Sequence, residues 1–236
     1  MGRQWLHSKR EVNANRKAKV TSKLVREITV AAKMGTPDPD MNPRLAMAVE
    51  AARKQSVSND VIKRAIAKGS GEGGDGADYE TVVYEGMAPH NVPLMVECLT
   101  ENRNRTGSDV KSLWKGGQFG SKVSFLFDHR GIVEATHEDA GKDAEEAAIE
   151  AGAQDVEALE NVPEDHAGAR FLTDVKDLYA VADALRAAGW SVTSAELGYV
   201  AKDPVELAAD ARAEVEAFLE KLDDHDDVQK LYVALK

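Results

Sequence analysis

The chain has a single cysteine, Cys98, few aromatic residues and no long apolar run. One thiol excludes an internal disulfide and any cysteine-based zinc site, and it fits a reducing compartment. No stretch approaches the ~20 apolar residues that cross a bilayer. The opening residues, Met1-Gly2-Arg3-Gln4-Trp5-Leu6-His7-Ser8, lack the apolar centre of a signal peptide, so a cytoplasmic chain without membrane attachment is expected. Catalytic signatures are missing too: no G-x-x-x-x-G-K-[ST], H-E-x-x-H or G-x-S-x-G occurs. The six histidines are scattered without metal-ligand spacing. No catalytic residue, metal or cofactor is expected.

What is present is charge, unevenly placed. Residues 1–70 carry 15 Lys and Arg against 6 Asp and Glu, whereas the remainder carries 15 against 35. A cationic head on an acidic body suits a protein that binds polyanions yet avoids non-specific adhesion. Nucleic acid, DNA or RNA, is the partner this predicts.

At 236 residues the chain exceeds one compact unit, and more than one domain is expected. Residues 12–68 read as three amphipathic helices. In the first, Val20, Leu24, Val25, Ile28, Ala31 and Ala32 share one face, and Arg16, Lys19, Lys23, Arg26 and Lys33 fall opposite. Asn42 and Pro43 open the second helix, and Ser58 opens the third, which Gly69 is expected to end. Residues 69–78 are half glycine and read as a hinge.

Beyond the hinge the hydrophobic period becomes two. Strands are predicted at 79–85, 92–100 and 123–127, the last continuing into 131–133, with a short helix over 108–115. Residues 131–201 then read β-α-β-β-α-β, the split βαβ of a ferredoxin-like unit. Asp203-Pro204 is expected to start a last helix, and 228–235 a last strand. The predicted class is α+β: a basic helical domain (1–70), a Gly-rich hinge (71–78), a discontinuous α/β domain (79–130 with 203–236) and an inserted ferredoxin-like domain (131–202).

Three constellations bear on function. The first is the cationic face of Arg16, Lys19, Lys23, Arg26 and Lys33, with Lys9, Arg10 and Lys17 in its approach. Only Glu11 and Glu27 interrupt it, which favours phosphate binding over a merely solvated helix side. Such binding needs those cations free of the chain's own carboxylates. Trp5 either stacks on a base or tethers the arm. The second is Asn102-Arg103-Asn104-Arg105-Thr106 at a helix start, either an anion cradle or a cap whose arginines pair with the acidic body. In the third, Phe125 and Phe127 read as core residues of one strand rather than an RNA-stacking platform. The acidic run Asp223–Asp227 reads as a solvated turn. No helix-turn-helix with a tight turn and an evident base-reading face can be picked out, and the proline-ended turn between the first two helices argues against one. This favours RNA or ribosome binding on physical grounds, with DNA kept beside it.

Several motifs resemble the YebC/PmpR family: Lys23-Leu24-Val25-Arg26-Glu27-Ile28, Asn42-Pro43-Arg44-Leu45, Tyr84-Glu85-Gly86, Glu97-Cys98-Leu99-Thr100-Glu101-Asn102-Arg103-Asn104-Arg105-Thr106 and Asp226-Asp227-Val228-Gln229-Lys230-Leu231-Tyr232. The opening is similar to the family's divergent M-G-R-K-W branch. The resemblance implies a three-domain, non-enzymatic, cytoplasmic regulator of gene expression. Members are commonly labelled DNA-binding transcriptional regulators, and others are regarded as translational activators acting with the ribosome. A metabolite-sensing α/β protein and an enzyme using Asn102–Arg105 on a phosphorylated substrate are the competing classes.

Overall fold

The computed structural model describes residues 4–72, 79–159 and 162–236, with side chains from residue 17 onward. Three helices come first: α1 (Gln4–Met34), α2 (Pro43–Lys54) and α3 (Asn59–Ser70). At 31 residues α1 is about 46 Å long. It starts eight residues earlier than the apolar stripe predicts. Ile28, Ala31 and Ala32 of α1 pack against Leu45, Val49 and Ala52 of α2 and Ile62 and Ala65 of α3. Val20, placed on the same stripe by its spacing, remains exposed.

Asn42 ties the corner between α1 and α2. Its Oδ1 accepts the Leu45 N–H at 3.1 Å, capping α2, and its Nδ2 donates to the Ala31 and Thr36 carbonyls, both at 2.9 Å. Gly69 does not stop α3 but lies within it, at the crossing with α1. A Cβ there would overlap the Thr29 carbonyl and reach 2.8 Å from the Ala32 Cβ, so the missing side chain permits the close approach. The helix ends instead at Gly71, in the left-handed region at φ 81°. Of the expected hinge, residues 73–78 lie outside the described residues.

Next come β1 (Glu80–Ala88), β2 (Val92–Thr100), α4 (Arg103–Leu113) and a two-residue β3 (Gln118–Phe119). Ser124–Leu126 is a 3-10 turn, which corrects the predicted strand there. Val123 is fully buried, and the Glu85 carboxylate accepts the Val123 and Ser124 N–H groups, both at 2.8 Å, so this backbone is satisfied without a sheet partner. Phe125 is therefore exposed, not a core residue, whereas Phe127 is buried.

The chain continues through β4 (Phe127–His137), α5 (Ala144–Ala151), β5 (Asp155–Ala158), β6 (Ala167–Thr173), α6 (Leu178–Ala187) and β7 (Ser191–Ala201). It closes with α7 (Ala209–Asp223) and β8 (Val228–Val233). The last helix starts five residues after Pro204. Val205 instead donates to the Ala234 carbonyl and bridges Leu235 in parallel, so this backbone is spent on the chain end.

The class is mixed α and β, helices first and two antiparallel four-stranded sheets after. Two compact units result: residues 1–126 with 203–236, and residues 127–202. In the first, the strand order is β3-β1-β2-β8. Leu94, Val96 and Cys98 of β2 pack with Val110 of α4, Trp114 just after it, and Val215, Phe218 and Leu222 of α7. Full burial of each such side chain contributes roughly 1.5–3 kcal/mol. In the second, the order is β5-β6-β4-β7, the ferredoxin-like arrangement, with Phe171 edge-on to Trp190 in its core.

Candidate nucleic-acid interface

Lys19, Lys23 and Arg26 stand at i, i+4 and i+7, and so share one side of α1. That side meets the end of α7 and the turn after it. Lys19 Nζ lies 2.7 Å from Asp224 Oδ1. Lys23 Nζ donates to Asp223 Oδ1 at 2.6 Å and to the Asp223 carbonyl at 2.9 Å. The Arg26 guanidinium donates to the Asp226 carbonyl and stands 3.3 Å from Asp227 Oδ1. These cations therefore engage both carboxylates and the negative end of the α7 dipole.

Two expectations are corrected by this geometry. Lys19, Lys23 and Arg26 are not free of the chain's own carboxylates, and the acidic run 223–227 is not simply a solvated turn. Segments 200 residues apart neutralise one another, a pairing that helical spacing within either segment does not reveal. Of the remaining predicted cations of α1, Lys17 and Lys33 are exposed. The side chains of Lys9, Arg10 and Arg16, with Trp5, lie outside the described residues.

Asp227 is the pivot of the cluster. Its carboxylate is buried and accepts from Thr106 Oγ1 at 2.7 Å and from the Arg105 guanidinium at 3.0 Å, while its carbonyl accepts the Leu99 N–H at 2.9 Å. Burial pushes the Asp227 carboxyl up, but the Thr106 hydroxyl, the Arg105 guanidinium and the charge of Arg26 outweigh it and hold it below the usual aspartate value. The residue is thus a carboxylate at neutral pH, locked between β2, α4 and α1.

This decides how Asn102–Thr106 divides. Asn102 Oδ1 accepts the Arg105 N–H at 3.1 Å and caps α4, and the Asn102 N–H is taken by Thr100 Oγ1 at 2.8 Å. Thr106 Oγ1 lies 2.7 Å from Thr100 Oγ1, and Arg105 points at Asp227. Of the N–H groups expected to cradle an anion, those of Asn102 and Arg105 are already engaged by side chains, and cap-plus-pairing describes these two residues. Arg103 and Asn104 face outward and are exposed. The Tyr84 hydroxyl donates to the Arg103 carbonyl at 3.1 Å.

A second cationic surface lies on α2 and α3. Arg53, Lys63 and Arg64 are exposed; Arg64 Nε donates to the Asp60 carbonyl within its own helix. No carboxylate pairs with Arg53 or Lys63 among the described residues. These two helices are joined by a four-residue turn, Gln55–Ser58, in which Ser56 is left-handed at φ 59°. Ser56 N–H donates to the Arg53 carbonyl at 2.9 Å and Val57 N–H to the Ala52 carbonyl at 3.0 Å, closing the turn. A tight turn therefore joins α2 and α3, with a serine in the left-handed region; it is not the proline-ended turn between the first two helices, on which the expectation rested.

Family models describe the same architecture. The TACO1/YebC N-terminal domain matches residues 3–72, and the TACO1/YebC second and third domain matches residues 79–235. The chain belongs to the TACO1/YebC family. A protein of Pseudomonas syringae pv. tomato, named a probable transcriptional regulatory protein, is 47% identical to it over 100% of this chain and 99% of its own length. A Bdellovibrio bacteriovorus protein of the same name is 43% identical, with both chains covered in full. The crystal structure of a conserved hypothetical protein from Aquifex aeolicus superposes with a TM-score of 0.83 at 35% identity, over 94% of this chain and 90% of that one. Relatives of this TACO1/YebC member are thus named as regulators rather than enzymes, and the match to them runs the full length of the chain. Among the described residues no helix is long and apolar enough to cross a membrane.

Proposed function

We propose that this TACO1/YebC member is a non-enzymatic, cytoplasmic regulator of gene expression that binds nucleic acid, DNA foremost, through its basic helical head, residues 1–70. The observation that carries it is the exposure of Arg53, Lys63 and Arg64, none of which forms an ion pair with a carboxylate among the described residues. Lys17 and Lys33 extend the positive surface along α1, and Arg103 and Asn104 present further donors at the start of α4. Two helices joined by a four-residue turn, the second bearing outward Lys63 and Arg64, suit insertion beside a duplex, and this favours DNA over single-stranded RNA. The names of the relatives agree. Cations alone bind phosphate without sequence preference, so affinity comes first and selectivity from which side chains reach base edges.

Fractionating lysate on a density gradient, with and without nuclease, tests this. DNA binding predicts that the chain travels with chromosomal DNA and is released by DNase. Co-migration with ribosomes that survives DNase and is lost with RNase assigns it to translation instead. Migration as a free protein in both cases, together with no gel shift of duplex DNA by purified chain, removes nucleic acid from its function.

A further inference from the structure

The acidic turn sits where phosphate would. We propose that the basic side of α1 is a polyanion-binding surface whose resident occupant is the chain's own Asp223–Asp227 turn, which nucleic-acid phosphate displaces. This rests on the nucleic-acid reading of the head and adds where a second contact lies and what guards it.

The pairs that make up the contact are of two kinds. Asp227 is buried and also held by Thr106 and Arg105, so it anchors the turn to β2 and α4. The Asp223 and Asp224 side chains are 59% and 66% exposed, Asp223 against Lys23 and Asp224 against Lys19. Ion pairs of that exposure are individually weak and screened by salt. A polyelectrolyte strand offers Lys19 and Lys23 the same geometry of oxygen acceptors and gains counterion release on binding, which a tethered aspartate does not provide. Asp227 stays in place while Asp223 and Asp224 give way. The turn thus sets a threshold: a single phosphate or a small anion competes poorly with two tethered carboxylates, whereas several linked phosphates displace both. Lys19 accepts this exchange more readily than Lys23, whose side chain is less exposed and is also held by the Asp223 carbonyl at the end of α7.

The test compares the full chain with Asp223→Asn/Asp224→Asn, using a mixed-sequence DNA duplex as probe at fixed salt. Both side chains are exposed, and Asp227 is left intact, so the fold is expected to survive. A charge-preserving control, Asp223→Glu/Asp224→Glu, monitors packing. The expected result is affinity raised about three- to tenfold by the Asn variant, unchanged by the Glu variant, with the gain erased by adding Lys19→Glu/Lys23→Glu. Equal affinity of the Asn variant and wild type, with binding still weakened by Lys63→Glu/Arg64→Glu, overturns the guarded surface and leaves the nucleic-acid function standing. No binding by any of these proteins overturns both.

Discussion

Two basic helix surfaces of the same head have opposite fates. On α1, Lys19, Lys23 and Arg26 each find an acceptor at the end of α7 or in the turn after it. On α3, Lys63 and Arg64 stand outward with no carboxylate of the body opposite them among the described residues. Both surfaces are built from the same residue types, Lys and Arg. The difference teaches that a cationic stripe on a helix is open to a partner at once only where the rest of the chain leaves it alone, and must otherwise be vacated first. It also shows that one acidic cluster can be divided, its buried member structural and its exposed members exchangeable.

The sharpest way to break this comparison is at its buried end. Asp227→Ala leaves Arg26 partly buried without its carboxylate and takes one acceptor from Thr106, so stability of the first unit should fall by about 3–5 kcal/mol in urea unfolding. Asp224→Asn should cost less than about 1 kcal/mol in the same assay. Equal losses would erase the distinction between anchor and exchangeable pair. Next in size is Gly69→Ala, which forces α3 away from the Thr29 carbonyl of α1 and is expected to cost about 1–3 kcal/mol by the same measurement.

Lys63→Glu/Arg64→Glu should lower affinity for a DNA duplex roughly tenfold, without change in melting temperature, because both side chains are exposed and each phosphate contact contributes about the same. A smaller effect follows from acid. The Asp227 carboxyl is depressed, so its stabilisation is fully present above the ordinary aspartate value of 3.8 and is lost as pH falls through the lower folded value. Stability measured downward from pH 5 should decline more shallowly in Asp227→Asn than in wild type. The smallest expected effect is none at all: Cys98 is fully buried, and burial with the charges of Asp227 and Glu97 pushes its thiol up to about 12, so alkylating reagents should leave it untouched until the chain is unfolded.

Much of the fold is legible along the chain because local signals agree with the tertiary answer. Asn42-Pro43 caps α2 as its chemistry dictates, and the β-α-β-β-α-β run appears as the sheet β5-β6-β4-β7. Several misses share a cause, a partner distant in sequence. Val123–Phe127 alternates like a strand, yet Glu85 claims its N–H groups and turns it into a 3-10 bend. Gly69 reads as a terminator, whereas its meaning lies in the α1 backbone beside it. At the candidate site, the cations of α1 and the cap at Asn102 are visible locally, but the role of Asp227 is not. The signal that could have found it is complementarity: an uninterrupted basic stripe and a dense acidic run elsewhere in one chain invite pairing.

The most direct measurement of the central claim is the salt dependence of binding to a DNA duplex by the wild-type chain. If the head neutralises four or more phosphates, log affinity should fall against log salt with a slope of about −4 or steeper. A slope near zero, or affinity unchanged by reversing the charge of Lys63 and Arg64, would contradict a phosphate-gripping head.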